Sequence, residues 1–375
     1  MSILAINSGS SSLKASLFMT NGERKNYRYT YSGNDYIHSH AKAFSALLAD
    51  LENKQPALIA HRFVHGGEIA DAARLINANE RRRLQSITYL APLHMPTNLS
   101  GVDLCTKQFN CPQIACFDTA FHATLPEIAY RLAIPQALKL RRYGFHGINY
   151  AHVAQKLPKI LGATTKGRIV VAHLGHGASL CLLENLRSVD TSMGFSAAGG
   201  IAMGTRCGDI DPGVMLELAK RYDDTQLSSL IYEKSGLLAL SDGESSDMSA
   251  LVTSNSENAS FAVEFFARQV RATIGGYAAK SGAIDALVFT GGIGEHSTQV
   301  RTLICEQLGF LGFALNIEAN LANLTILNST HSKPILIIPA DEEAEIARLA
   351  ENLYAEVNHV STDVKSRQAK SSWEK

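Results

Sequence analysis

Ile3-Leu4-Ala5-Ile6-Asn7-Ser8-Gly9-Ser10-Ser11-Ser12-Leu13-Lys14 runs from four apolar residues into a hydroxyl-rich turn closed by a cation. The apolar stretch does not alternate with polar residues, so it reads as a strand buried on both faces. The same pattern recurs at Leu58 to Val64, Ile114 to Phe117, Ile169 to Ala172, Ala286 to Phe289 and Ile335 to Ile338, each stopping at a Gly, Asp or Asn cluster. Helical stretches lie between these runs, the clearest from Ser254 to about Lys280. There Ser254 and Glu257 have capping-box spacing, and Val263, Phe266, Val270, Ile274 and Tyr277 keep a three-and-four rhythm. Strands alternating with helices predict an α/β chain with mostly parallel sheets, whose ligands gather at the carboxyl ends of the strands.

At 375 residues the chain is long enough for two domains or one large one. Its 46% hydrophobic and 19% charged residues exclude disordered, collagen-like and coiled-coil chains. With 35 basic and 35 acidic residues the net charge is zero, so no global field draws in nucleic acid or an anionic membrane. Six cysteines without a C-x-x-C pair read as reduced thiols and not as a disulfide scaffold. The N-terminus has no basic n-region, and no apolar run approaches the ~18 residues of a membrane helix. These features predict a soluble, cytoplasmic protein. Residues 361–375 are polar and read as a frayed end.

Three polar clusters follow apolar runs. Asn7 to Lys14 offers backbone N–H groups, hydroxyls and a cation, which suits a phosphate but also an ordinary hairpin turn. His173 to Ser179 and Thr290 to Glu295 carry glycines that let the main chain approach a ligand, or that simply link a strand to a helix. No Gly is followed by Lys, which excludes a Walker-type loop, and neither Gly cluster completes the dinucleotide fingerprint. A second group supplies charge: His61 to Glu68, Ala91 to His94, Phe117 to His122, Arg141 to Gly147 and Gly204 to Asp209. Arg62 sits in an otherwise apolar run, so its guanidinium must face a carboxylate or a phosphate.

In this order the segments resemble the acetate kinase family, which also includes propionate and butyrate kinases. The match runs from Ile3 to about Leu349 and includes Asp190 to Phe195, Met203 to Gly213 and Pro339 to Ile346. The resemblance implies the acetate and sugar kinase/Hsp70/actin fold, two ribonuclease H-like domains with a catalytic cleft between them. One domain is expected over residues 1–122 plus 345–375, the other over 123–344. It implies reversible transfer between ATP and acetate, giving acetyl phosphate and ADP, with Mg²⁺ or alternatively Mn²⁺, in a homodimer. Carried over position by position, Asn7 and Glu342 stand near the metal, and Arg62 and Arg206 hold the carboxylate and the phosphoryl group. Asp118 corresponds to the catalytic aspartate, and His94, His146 and His173 to the active-site histidines. Ser10, Ser12 and Lys14 fall in the first phosphate segment, Gly175, His176 and Gly177 in the second. Asp247, Met248, Ser249, Gly292, Ile293 and Gly294 fall at the nucleoside. Val64, Leu93 and Phe145 outline a small apolar pocket for the acyl group.

Two positions depart from the family pattern: His176 replaces an Asn of the phosphate loop, and Ser249 replaces an Arg beside the adenine. A phosphate near His176 would raise its pKa and strengthen nucleotide binding on the acid side of neutrality. One methylene changes discrimination by only ~1–3 kcal/mol, so propionate stands beside acetate as substrate. A nucleotide-gated binding module of the same fold has no need of two arginines and a histidine. A sugar kinase would favour an Asp base.

Overall fold

The computed structural model describes residues 1–9, 12–31, 36–51 and 54–371, with backbone only at 36–38 and 359–371. The chain forms two compact units, Met1–Ala120 with Asp341–Lys375, and Phe121–Ala340.

The first unit is built on a sheet of β1 (Ile3–Ser8), β2 (Ser12–Phe18), β3 (Arg24–Thr30), β4 (Leu58–Phe63), β5 (Ala73–Leu75) and β6 (Gln113–Phe117), ordered β3-β2-β1-β4-β6-β5. β1, β4 and β6 pair in parallel, while β2, β3 and β5 are antiparallel. The helices Tyr36–Asp50 and Met95–Gln108 pack on the sheet, and Phe44, Leu47, Leu51 and Cys105 join Leu4, Ile6 and Leu13 in one core. The long helix Glu342–Ser371 returns to this unit and packs on β1, β2, β4, β5 and β6.

The second unit holds β7 (Arg168–Leu174), β8 (Ala178–Glu184), β9 (Arg187–Thr191), β10 (Ala286–Thr290) and β11 (Ile335–Ile337), ordered β11-β10-β7-β8-β9. β7, β10 and β11 are parallel, and β8 and β9 antiparallel. Both sheets are therefore mixed, not mostly parallel as expected. All six predicted strands exist, and they are the ones joined by parallel pairing. The helix predicted from Ser254 spans Glu257–Ser281 and is capped by Ser256, whose side chain accepts from Ala259 N. Ser254 Oγ instead accepts from Ser256 N, so it shapes the turn before the helix. Val263, Phe266, Val270, Ile274 and Tyr277 are all buried, as the rhythm predicts. Among the described residues, no helix is long and apolar enough to cross a membrane.

Candidate active site

In the first unit the site grows from the carboxyl ends of β1, β4 and β6. Arg62 and Cys116 are register partners on β4 and β6, and the Asp118 N–H donates to the Phe63 carbonyl, so the ladder itself carries Asp118 to Arg62. Arg62 Nε and Nη2 both donate to Asp118 Oδ2, at 2.8 and 2.5 Å, and Nη1 donates to Asn7 Oδ1 at 3.0 Å. Three of the five N–H groups of the guanidinium are engaged this way. Burial works against the Arg62 cation, but the charges of Asp118, Glu342 and Glu343 outweigh it and hold the guanidinium firmly protonated. Asn7 Nδ2 donates to Glu342 Oε2 and Glu343 Oε1, each at 2.7 Å. Burial and the neighbouring Glu342 raise the pKa of Glu343.

Behind β1, Ser8 Oγ lies 2.8 Å from His40 Nε2 and 3.1 Å from Tyr31 OH, which fixes the residue after Asn7. Asn7 and Ser8 pair across β1 and β2 with Lys14 and Leu13, so β1 and β2 form a β-hairpin with Lys14 exposed on its return strand. Ser12 begins that strand and its carbonyl accepts from Gly9 N, whereas Ser10 lies outside the described residues. His94 is buried at the start of the helix Met95–Gln108. Val64 is buried, while Leu93 is exposed.

In the second unit, His173 near the end of β7 and Ser179 near the start of β8 are register partners, so His173 to Ser179 is a strand-to-strand hairpin. His146 precedes the helix Gly147–Leu161 with φ of 59°, a left-handed conformation costly for a residue with a Cβ. It is held there by packing: its ring stacks on His173 with centroids 4.2 Å apart, and its Nδ1 lies 2.9 Å from Ser179 Oγ. A Cβ on Gly177 would stand 3.1 Å from His146 Nε2 and 3.5 Å from Arg206 Nη1, so glycine leaves this space between a histidine and a cation open. Arg206 is 9% exposed and donates to the Ala197 carbonyl at 3.0 Å. Phe145, which precedes His146 in sequence, is buried.

His176 lies in the turn between β7 and β8. Burial and the Arg206 guanidinium lower its pKa, and Asp247 offsets them only in part. These influences are those of the chain by itself; the upward shift expected above is the effect of a nearby phosphate. Asp247 caps the four-residue helix Met248–Leu251 by accepting from Ser249 N, with Ser249 exposed and Met248 buried at 2%. Gly291, Gly292, Ile293 and Gly294 form the short helix after β10. Gly291 has φ of 78°, and a Cβ there would lie 2.7 Å from the Leu174 carbonyl oxygen, so the fold requires this glycine. Gly292 meets nothing within 4 Å, so the protein has no packing need for glycine there.

Sequence reasoning missed four groups that the folding brings to these sites: Glu343, Ser179, Asn149 and Tyr150. Glu343 adjoins a named residue and shares its amide, so the paired acids after Asp341 were a usable signal. Asn149 and Tyr150 left none, because a polar residue near a helix start is ordinary.

The arrangement defines a class. The chain belongs to the acetokinase family, whose sequence model matches residues 2–348, and its fold is the two-domain α/β fold of those proteins. It is 39% identical to the acetate kinase of Rhodopseudomonas palustris over 92% of this chain and 96% of that one. It is 37% identical to a propionate kinase of Salmonella typhimurium, over 92% and 95% of the two chains. A solved propionate kinase from Francisella tularensis has a TM-score of 0.83 at 32% identity, covering 94% of this chain and 99% of that chain.

Proposed function

We propose that this chain transfers a phosphoryl group reversibly between ATP and a short-chain carboxylate, acetate in the first place and propionate in the second. The observation that carries this reading is the Arg62 guanidinium fixed on buried Asp118 and on Asn7. A metaphosphate-like transferring group spreads charge over its oxygens, so catalysis is positioning plus cationic stabilisation. Arg62 in the first unit and Arg206 with His146 in the second are groups of that kind. Asp118 orients Arg62 and abstracts no proton, because a carboxylate nucleophile is already ionised at neutral pH. No covalent intermediate on the protein is required.

A divalent cation, Mg²⁺ or Mn²⁺, fits the first unit. Mg²⁺ is typically held by one or two carboxylates together with substrate phosphates, and Glu342 with Glu343 supplies two carboxylates on one amide. The raised pKa of Glu343 reflects burial and then the like charge of Glu342, and a cation would relieve the like charge. When bound, the ion neutralises charge on the phosphate oxygens. Asn7 holds the two carboxylates in register.

The second unit supports the nucleotide. Open space over Gly292 lets the main chain approach a phosphate or nucleoside, and Gly177 keeps a side chain out of the gap between His146 and Arg206. The test is a coupled assay of ATP formation from ADP with acetyl, propionyl or butyryl phosphate. Turnover with acetyl phosphate is the expected result, and its absence with all three overturns the proposal.

A further inference from the structure

We propose that Asn149 is a positioning residue that locks His173 in the neutral tautomer with its proton on Nε2. The stacked pair is thereby divided into one ring that can take a proton, His146, and one that cannot. Phosphoryl transfer enters only in what the Nε2–H meets, and the tautomer stands independently of that reading.

Asn149 lies in the first turn of the helix Gly147–Leu161 and is fully buried. Its Nδ2 donates to His173 Nδ1 at 2.8 Å and to Thr290 Oγ1 at 3.3 Å. Its Oδ1, also buried, has no hydrogen-bond partner among the described residues. The reversed amide would let Oδ1 accept from the ring and from the Thr290 hydroxyl. It would, however, put two N–H donors where one carbonyl oxygen now stands unpaired, and unmet donors are the worse loss.

An imidazole nitrogen that accepts has no hydrogen, so the single proton of neutral His173 is on Nε2. That nitrogen lies 3.9 Å from the place of a Cβ on Gly175, on the side of the Gly175–Gly177 hairpin. Protonating Nδ1 would drive an N–H against the Asn149 N–H, which opposes a charge on His173. His146 differs, because its Nδ1 faces a hydroxyl, Ser179 Oγ, that can accept as readily as donate. Tyr150 OH, 2.5 Å from the same Oγ, can follow either direction. Arg206 beside Gly177 and His176 on the hairpin are the nearby charged and titratable groups of neighbouring segments. A stack of two imidazoliums at 4.2 Å beside Arg206 would place like charges together, and Asn149 removes that state.

The test uses the full chain labelled with ¹⁵N-histidine and long-range ¹H–¹⁵N correlation, with His173 assigned through His173→Gln. His122 provides an internal reference. Its Nε2 lies 3.0 Å from the Phe145 carbonyl and must donate, leaving Nδ1 to accept from Ser188. We expect His173 to show the same pattern, unprotonated Nδ1 and protonated Nε2, unchanged from pH 8 to pH 5.5. In Asn149→Asp a carboxylate faces the ring, so the proton moves to Nδ1 and His173 titrates. With the His122 signals unchanged as the control for folding, kcat of that variant should fall roughly 10-fold to 100-fold while KM for ADP stays within about twofold. A parent His173 carrying its proton on Nδ1, or an Asn149→Asp variant with unaltered tautomer, overturns the inference. An inactive parent with the expected tautomer would overturn the kinase reading alone.

Discussion

Nε and Nη2 of Arg62 converge on a single oxygen of Asp118, so the guanidinium is gripped along one edge by a carboxylate that water does not reach. That grip sets the direction of the cation. Removing the cation in Arg62→Ala should lower turnover roughly 10²–10³-fold, as for loss of one transition-state contact. Asp118→Asn keeps the shape and loses the charge, so kcat should fall far more than KM for the carboxylate rises. Steady-state assays with acetyl phosphate decide, and parental turnover in either variant refutes the assignment.

Gly291 and Gly292 should respond in opposite ways to one methyl group. Gly291→Ala places a Cβ 2.7 Å from the Leu174 oxygen at a left-handed φ, and thermal melting should show a clear loss of stability. Gly292→Ala meets nothing and relieves backbone entropy in a helix, so stability should hold or rise by about 0.5–1 kcal/mol. If nucleotide occupies the open space, KM for ADP rises in Gly292→Ala despite that gain. Unchanged KM would show that the nucleotide lies elsewhere.

Acid should unfold this chain through buried histidines outside the proposed catalytic set. Burial pushes His61 and His122 down to about 4, in His61 against the bond to Gln113 and in His122 against the bond to the Phe145 carbonyl. A histidine with a lowered folded pKa binds protons more readily when unfolded, so its contribution is complete above about 6.5 and is lost as pH falls toward 4. Melting temperature should therefore drop steeply between pH 6.5 and 4. A His61→Gln variant should show a shallower slope there, and an identical slope would exclude His61 from the effect.

Arg301 is a fully buried cation whose hydrogen bonds all go to neutral acceptors. It donates to Asn320 Oδ1, the carbonyls of Gly294 and Asn320, and Asn323 Oδ1. Burial pushes its pKa down to about 10. The acceptors strand when the side chain goes, each at about 1–3 kcal/mol before relaxation. Arg301→Met should cost at least about 3 kcal/mol in denaturant unfolding. A loss below 1 kcal/mol would mean that water replaces the guanidinium without difficulty.

The strands legible in the sequence are β1, β4, β6, β7, β10 and β11, because parallel strands covered on both faces are continuously apolar. β3 was illegible for the opposite reason: only Tyr27 of its seven residues is buried. β8 is wholly apolar at Leu180 to Leu183, but it starts within the Gly-rich hairpin and was absorbed into it. Arg62 could be singled out because a cation within an apolar strand demands a partner. The Asn7 contact with Glu342 spans 335 positions, and without the family pattern only the topology could reveal it. Asn149 is illegible by any local rule, since its meaning lies in the ring it faces.

The return of the helix Glu342–Ser371 to the sheet of β1, β2, β4, β5 and β6 sets an order of events on the ribosome. Domains generally fold as units during synthesis, N-terminal first. Here the N-terminal sheet waits, since its covering helix and the Glu342 and Glu343 partners of Asn7 emerge only after the whole second unit. Phe121–Ala340 is one continuous stretch and can close while the first 120 residues still lack their final layer. A nascent chain arrested near Ala340 should accordingly protect the later-made unit from protease before the earlier-made one, the reverse of the usual vectorial order.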